Sequence, residues 1–202
     1  RCRAACTLRE IGNQRAVKSL IAALDDEAWV VRRAAARALG TLGDGRAFEP
    51  LLATLQDDDK LVRVEAVIAL THLGDERAFD HLATIVRQLE EDDSVRLAAV
   101  RGLGRVGGER AIDLLVAALE DTDWDVREVA VKSIGELRDG RAIEPVVAVL
   151  QDRSRSWYAR QSAAMALGAL GDARALDALI STLADPDTPV VAGVICALGE
   201  IA

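Results

Sequence analysis

A nine-residue segment with the same polar residues occurs twice in this chain of 202 residues, as DGRAFEPLL at 44–52 and as DGRAIEPVV at 139–147. The same opening, with arginine two residues after its first position, recurs at four further places. It divides the chain into six units: 13–43, 44–74, 75–107, 108–138, 139–171 and 172–202. Residues 1–12 match the second half of a seventh unit. Because one such unit cannot bury an apolar face alone, neighbouring units must share a core.

Each unit contains two helical patterns. In the unit 44–74, apolar residues spaced three and four apart predict helix A from Phe48 to about Gln56, after a tight turn or short 3₁₀ segment. An acidic loop follows, and helix B is expected from about Lys60 to Leu73, with Gly74 at its C′ position. The same closing role is expected of four other glycines: Gly12, Gly43, Gly107 and Gly171.

These patterns predict an all-α fold of thirteen helices, one leading helix and six pairs, without a β-strand. No linker interrupts the repeats, so we expect a single domain over residues 1–202, with a partial repeat at 1–12. Two units are two residues longer than the others. Because a stacked core fixes the helix register, the extra residues should fall at the end of helix A or in its loop, near Gln88–Asp92 and Asp152–Ser156.

The repeated pattern also carries a family resemblance. Asp-x-Arg-Ala-apolar-x-x-Leu is followed by Val-Arg-x-x-Ala-x-x-Ala-Leu-Gly-x-Leu-Gly, which residues 31–43 show in full. This resembles the short HEAT-like repeats first noted in phycobiliprotein bilin lyases. The resemblance implies an α-solenoid (superhelix) of about six HEAT-like helix pairs plus one leading helix, with helix B on the concave surface. For function it implies either a scaffold or a bilin lyase-type enzyme subunit or chaperone for a phycobiliprotein.

One arginine recurs near the start of helix B, at Arg1, Arg32, Arg63, Arg96, Arg127 and Arg160. An acidic residue six positions earlier recurs as Asp26, Asp57, Glu90 and Asp121, and the last unit has Val191 in place of the arginine. A catalytic site would be unique, whereas these charges repeat at almost every level. They are therefore predicted to bridge adjacent units and to bind loop carbonyls.

Several function classes are disfavoured by composition and motifs. A net charge of −8 opposes nucleic acid and anionic membranes as partners. Three sparse cysteines, Cys2, Cys6 and Cys196, indicate reduced thiols in the cytoplasm and no disulfide framework. His72 and His81 each precede leucine, so the His-Glu pairs of a di-iron site are missing. We expect no catalytic residue, cofactor or metal site.

Positions that vary between helices B are the candidate partner-binding residues. All three tryptophans occupy the first position of this helix, and the only tyrosine follows one of them. Such residues anchor interfaces, although a tryptophan here can also pack over the seam between repeats. A basic stretch on the same face suits an acidic peptide. The predicted contacts with a protein or peptide partner are Trp29, Arg33, Arg37, Lys60, Arg101, Arg105, Trp124, Glu128, Trp157, Tyr158 and Met165.

The first and last repeats also carry apolar residues that no further repeat covers. Leu8 and Ile11 are such residues at the start, and Ile195 and Leu198 at the finish. Exposed apolar patches favour association, so the sequence predicts end-to-end self-association.

Overall fold

The computed structural model describes residues 16–88 and 90–201, and these residues form twelve α-helices and no β-strand. Helices A are α1 (Val17–Ala22), α3 (Phe48–Thr54), α5 (Ala78–Arg87), α7 (Ile112–Ala118), α9 (Ile143–Gln151) and α11 (Leu176–Thr182). Helices B are α2 (Trp29–Leu42), α4 (Lys60–Leu73), α6 (Asp93–Val106), α8 (Trp124–Leu137), α10 (Trp157–Leu170) and α12 (Thr188–Ile201). The six predicted pairs and the all-α class are confirmed. The predicted leading helix lies outside the described residues.

The chain divides into two compact units, 1–106 and 107–202, each holding three helix pairs in its described part. Within each unit, every helix B packs against its own helix A and against the next helix B. The inner face of α4 shows the chemistry of this core, because Val62, Ala66 and Leu70 have no exposed surface. No described helix is long and apolar enough to span a membrane. The single-domain assignment stays a prediction.

The openings of three repeats are capped 3₁₀ turns, as the sequence predicted. Gly45–Ala47 forms this turn in the second repeat, and the Asp44 carboxylate accepts the backbone N–H of Arg46 at 3.0 Å. The Arg46 guanidinium folds back onto the same carboxylate at 2.7 Å. Asp139 and Asp172 cap the equivalent turns in the same way. One aspartate therefore holds both the backbone and the arginine of the motif.

The ends of helices B differ in how they reach the left-handed conformation. Gly43, Gly74 and Gly171 have φ between 65° and 67°, as predicted for C′ glycines. Gly107 was expected to close α6 but has φ −87°, and the next residue, Gly108, has φ 46° instead. The predicted role of Gly107 is therefore wrong, because the left-handed residue falls one position later. In the following repeat this conformation is taken by Arg138, with φ 46°.

The two longer repeats extend helix A. Helices α5 and α9 have ten and nine residues, whereas α3, α7 and α11 have seven. The loop before helix B keeps five residues in the longer repeats, at 88–92 and 152–156. Helix extension was one of the predicted outcomes for the first. In the second, the extra residues lie at the end of α9, just before the predicted 152–156, since continuing a helix satisfies more backbone groups. Both ladder arginines keep their register.

Three ladder arginines, Arg32, Arg63 and Arg160, tie successive repeats together, as predicted. Arg32 donates from Nε and Nη2 to the Asp57 carboxylate of the next repeat, at 2.6 and 2.7 Å. Its Nη1 donates to the carbonyl oxygens of Asp26 and Glu27, at 3.0 and 3.1 Å. In the second unit, Arg160 likewise binds a carboxylate of the next repeat, that of Asp185, at 2.5 Å. We call one such set, an arginine with its two loops, a rung.

Adjacent helices B approach closely where small residues face each other. At three of these contacts, the twelfth residue of one helix B meets the tenth residue of the next. A Cβ built on Gly40 would lie 2.6 Å from the Cα of Ala69, and one built on Gly168 would lie 2.7 Å from the Cα of Ala197. Where the twelfth residue is the larger Thr71, the tenth residue of α6 is Gly102. Sizes at this contact therefore compensate each other.

We predict that Gly102→Ala and Thr71→Ala are coupled. The new Cβ at position 102 would meet Thr71 Oγ1 at 2.5 Å, and the Thr71 rotamer is held by a 2.9 Å hydrogen bond to the Val67 carbonyl. Gly102→Ala should lower the free energy of unfolding by about 1 kcal/mol. In the Thr71→Ala background, Gly102→Ala should raise the free energy of unfolding by up to about 1 kcal/mol, because alanine favours the helix more than glycine does. Urea unfolding of the four proteins measures the coupling, and additive effects would contradict it.

The matched control for that cycle is Gly40→Ala. Its nearest obstacle is the backbone Cα of Ala69, at 2.6 Å, so trimming the neighbouring side chain leaves this contact in place. We expect a loss of about 1–3 kcal/mol both alone and together with Ala69→Gly. If Ala69→Gly fully restored the stability of Gly40→Ala, the backbones of α2 and α4 would be able to move apart at little cost, which would contradict this prediction.

The capped turns predict how stability depends on pH. Hydrogen bonds from the neighbouring arginine lower the pKa of Asp44, Asp139 and Asp172 from 3.8 to about 2. A carboxyl with a lowered folded-state pKa stabilises the fold above its unfolded pKa, and this contribution is lost as pH falls from about 4 to about 2. Replacing all three by asparagine should flatten the stability–pH curve there, as measured by urea unfolding. Asp113→Asn, at a carboxylate without an ion pair among the described residues, should leave the slope unchanged.

Candidate partner-binding site

The three tryptophans predicted as anchors begin helices α2, α8 and α10. Asp123 caps α8 by accepting the N–H of Val126 at 3.0 Å, and Ser156 caps α10 by accepting the N–H of Ala159 at 3.4 Å. Trp29, Trp124 and Trp157 are 40%, 46% and 47% exposed. Each ring therefore packs against its repeat over about half of its surface and also presents apolar area to solvent.

Two of the tryptophans belong to a cluster on the second unit. The rings of Trp157 and Tyr158 lie edge to face, with centroids 5.8 Å apart. The Arg127 guanidinium lies over the Tyr158 ring at 4.5 Å and over the Trp124 ring at 5.4 Å. Arg127 is only 6% exposed. It thus connects the start of α8 with the start of α10, and we call these four residues the aromatic cluster.

The predicted basic stretch is largely neutralised within the first unit. Arg33 and Arg37 of α2 both donate to the buried Glu65 of α4, at 3.2 and 2.7 Å. Lys60 binds Asp92 at 2.9 Å. Arg101 and Arg105 are exposed on α6 and form no ion pair with a described residue. The positive surface available to a partner is therefore smaller than the sequence suggested.

A groove of about 150 Å³ runs beside these two unpaired arginines. It is lined by Ile68, Thr71, His72, Ala98, Arg101, Gly102 and Arg105. The groove exists because the glycine lets α6 approach α4 closely. Its apolar floor and basic rim would accept a small acidic side chain.

The remaining predicted residues are scattered. Glu128 is exposed on α8 without an ion pair to a described residue, and Met165 is half-buried eight residues beyond Trp157 on α10. Trp29 lies in the first unit, whereas the aromatic cluster lies in the second, so Trp29 is not a member of the cluster. Ile195 is 59% exposed and Leu198 is half-buried, whereas Leu8 and Ile11 lie outside the described residues. End-to-end association stays a prediction.

Another groove, of about 370 Å³, lies elsewhere, between the end of helix α1 and helix α3. It is lined by Ile21, Leu24, Asp25, Pro50, Ala53, Thr54, Gln56 and Asp57. None of the predicted binding residues reaches it. In residues 16–88 and 90–201, no group of three or more His, Cys, Asp or Glu side chains is arranged to hold a metal ion.

Sequence reasoning missed Arg127 as a functional candidate, although a signal was present. The residue three positions before each helix B is acidic in five repeats, namely Asp26, Asp57, Glu90, Asp121 and Asp185. In the fifth repeat this position is Ser154. The rung that starts at Arg127 therefore lacks its carboxylate, and the arginine contacts aromatic rings instead.

Comparison with known proteins places this fold in a family. The family model for HEAT repeats matches residues 1–58, 17–90, 48–127, 81–156 and 143–202. The complex of CpcE and CpcF of phycocyanin lyase from Nostoc sp. PCC7120 is similar, with 25% identity and a TM-score of 0.60, over 100% of this chain and 88% of that chain. YibA of E. coli is 21% identical, with a TM-score of 0.57, over 98% and 85% of the two chains.

A designed armadillo repeat protein in complex with the peptide (KR)4 has the same kind of fold, at 19% identity and a TM-score of 0.53, over 92% of this chain and 99% of that chain. No curated protein sequence matches the chain. The overlapping family matches run from the first residue to the last. This chain therefore belongs to the HEAT-repeat family, and its fold class is the α-solenoid.

Proposed function

We propose that this protein is a non-catalytic scaffold whose helices B contact a protein or peptide partner, with the aromatic cluster as the main contact. The observation that carries the proposal is the exposure of two tryptophans, 46% and 47%, next to a tyrosine in adjacent repeats. Large aromatic side chains that keep a solvent-facing surface are typical anchors of interfaces. An exposed free thiol at Cys196 suits a reducing compartment such as the cytoplasm.

The cluster is also suited to binding because its base is held in place. Arg127 is buried, and its Nη1 donates to the carbonyl oxygens of Asp121 and Thr122 at 2.6 and 2.9 Å. A rigid base lowers the entropy that an aromatic contact loses when a partner binds. The half-buried Met165 on α10 offers an adaptable apolar surface beyond the rings.

The second candidate is a bilin lyase-type subunit or a chaperone for a phycobiliprotein. It is favoured by the similarity to the CpcE and CpcF complex, which covers the whole chain. That complex joins two proteins, so a partner-binding role is common to both candidates. They differ in chromophore chemistry. A change of the absorption spectrum on mixing the chain with a bilin and an apo-phycobiliprotein would favour the second candidate.

We predict that Trp157→Ala and Tyr158→Ala weaken partner binding without unfolding the protein. Partners are first captured from an extract of the source organism with the wild-type chain and identified. Binding of the purified partner is then measured by calorimetry. The stronger substitution should lower the binding free energy by about 2 kcal/mol or more, because it removes a central anchor. Thermal stability should change little in Trp157→Ala, since about half of the Trp157 side chain contacts solvent.

The matched control is Ile180→Ala, which removes another large apolar side chain, 56% exposed on helix α11. It should leave the partner affinity unchanged. A large loss of stability in Trp157→Ala and Tyr158→Ala, together with wild-type affinity, would show that the rings serve packing. The partner would then have to bind elsewhere on the chain.

A further inference from the structure

Three complete rungs show what a ladder arginine normally binds. Arg32 and Arg160 each reach a carboxylate in the next repeat, Asp57 and Asp185 respectively, and both aspartates lie three residues before a helix B. Arg63 binds Glu91 at 2.7 Å, one residue later. In the first of these rungs two guanidinium nitrogens donate to one carboxylate, the planar pairing that best satisfies arginine.

The rung of Arg127 keeps half of these bonds. Its Nη1 donates to two carbonyl oxygens of the preceding loop, as Nη1 of Arg32 does. No described carboxylate lies on the other edge, because the position that Asp57 and Asp185 occupy is Ser154 here. The Nε of Arg127 is buried and has no acceptor. Arg63 and Arg160 also have an unbonded Nε, but each of them donates to a carboxylate from Nη2 or Nη1.

The loop that faces this rung offers positive charge rather than an acceptor. It carries Arg153 and Arg155, whereas the loop 55–59 contains three aspartates. Its one acid, Asp152, is occupied, since it accepts from Ser154 Oγ at 2.6 Å and from Arg155 Nε at 3.2 Å. Arg155 also pairs with Glu120. The buried guanidinium, which remains charged at every relevant pH, lies against the rings of Trp124 and Tyr158 and forms no ion pair with a described residue.

We propose that the partner supplies the missing carboxylate. In this arrangement, one aspartate or glutamate of a bound protein segment accepts from the free edge of Arg127, beside the aromatic cluster. The inference rests on the proposed function and names the chemistry that the cluster recognises. A carboxylate is favoured over other acceptors because the three complete rungs hold one at this position in the repeat or one residue later.

The surrounding charge also constrains the segment. Asp125 and Glu128 are exposed on α8 and form no ion pair with a described residue, so they repel a run of acids. A single acid flanked by apolar residues suits the site better, because the flanking side chains can contact Trp157 and Met165.

The first test introduces a carboxylate into the chain itself, at position 154. Ser154→Asp restores the carboxylate and should raise the melting temperature by about 2–4 °C, the shift expected for one additional favourable charged contact in a chain of this size. The matched neutral variant, Ser154→Asn, should give no such rise. Asp57→Ser, which empties a complete rung, should lower the melting temperature. An unchanged or lower melting temperature in Ser154→Asp would overturn the proposal.

The second test uses a defined probe. Capped peptides Ala-Leu-Ala-Asp-Ala-Leu-Ala and its asparagine counterpart are titrated against the full chain. Binding is followed by the Arg127 Nε–Hε signal in NMR spectra, assigned with Arg127→Lys. The aspartate peptide should shift this signal saturably and bind at least about fivefold more tightly, and Ser154→Asp should abolish the shift. Equal binding of the two peptides, or undiminished binding to Ser154→Asp, would overturn the proposal.

The two proposals fail in different ways. If Trp157→Ala and Tyr158→Ala leave the affinity of the natural partner unchanged, but the aspartate peptide still shifts the Arg127 signal, the carboxylate site stands and the proposed partner face is wrong. If the natural partner depends on the rings but binds Ser154→Asp as tightly as the wild type, the carboxylate site is wrong.

Discussion

The structure depends most on a buried guanidinium that belongs to two loops at once. A cation removed from water is costly unless its donors are satisfied, and the ladder arginine meets this need with carbonyls of its own loop and a carboxylate of the next. Arg32 does so with four bonds between 2.6 and 3.1 Å. Because both loops precede a helix B, each rung fixes where the first residue of that helix lies. The exposed tryptophans stand at this position.

Helix packing supplies the second constraint, and it acts at the other end of helices B. Glycine or alanine at the contact lets two backbones approach until an added Cβ would lie 2.5–2.7 Å from the neighbour. Thr71 is larger than the residue at the same position of the other helices, but it faces Gly102, so the close approach is kept with different residues. With the rung at one end and the small-residue contact at the other, each helix B is held firmly within its unit. Variation is then tolerated on the side that faces solvent.

The sequence predicts what repeats and fails where a single repeat departs from the pattern. Helix α4 begins and ends at the predicted residues, and the 3₁₀ turn after Asp44 was expected from its motif. Periodicity reports only average geometry, so it does not reveal that Glu65 binds two arginines of the preceding helix, or that Arg138 takes the left-handed position usually held by glycine. The pairing of Glu65 depends on the distance between two helices, which the residue pattern alone does not contain.

The incomplete rung at Arg127 connects the fold with the proposed function. A charged group that is 6% exposed and lacks a carboxylate lowers the stability of the free protein, although the rings of Tyr158 and Trp124 offset part of the loss. A ligand that supplies the carboxylate removes this loss of stability only in the bound state. At Arg127, the stabilisation that a complete rung gives to folding therefore contributes to binding. Departures from local regularity that lower stability are expected at functional sites. On this argument the same interaction that assembles the repeats, left incomplete at Arg127, becomes the means of recognising a partner.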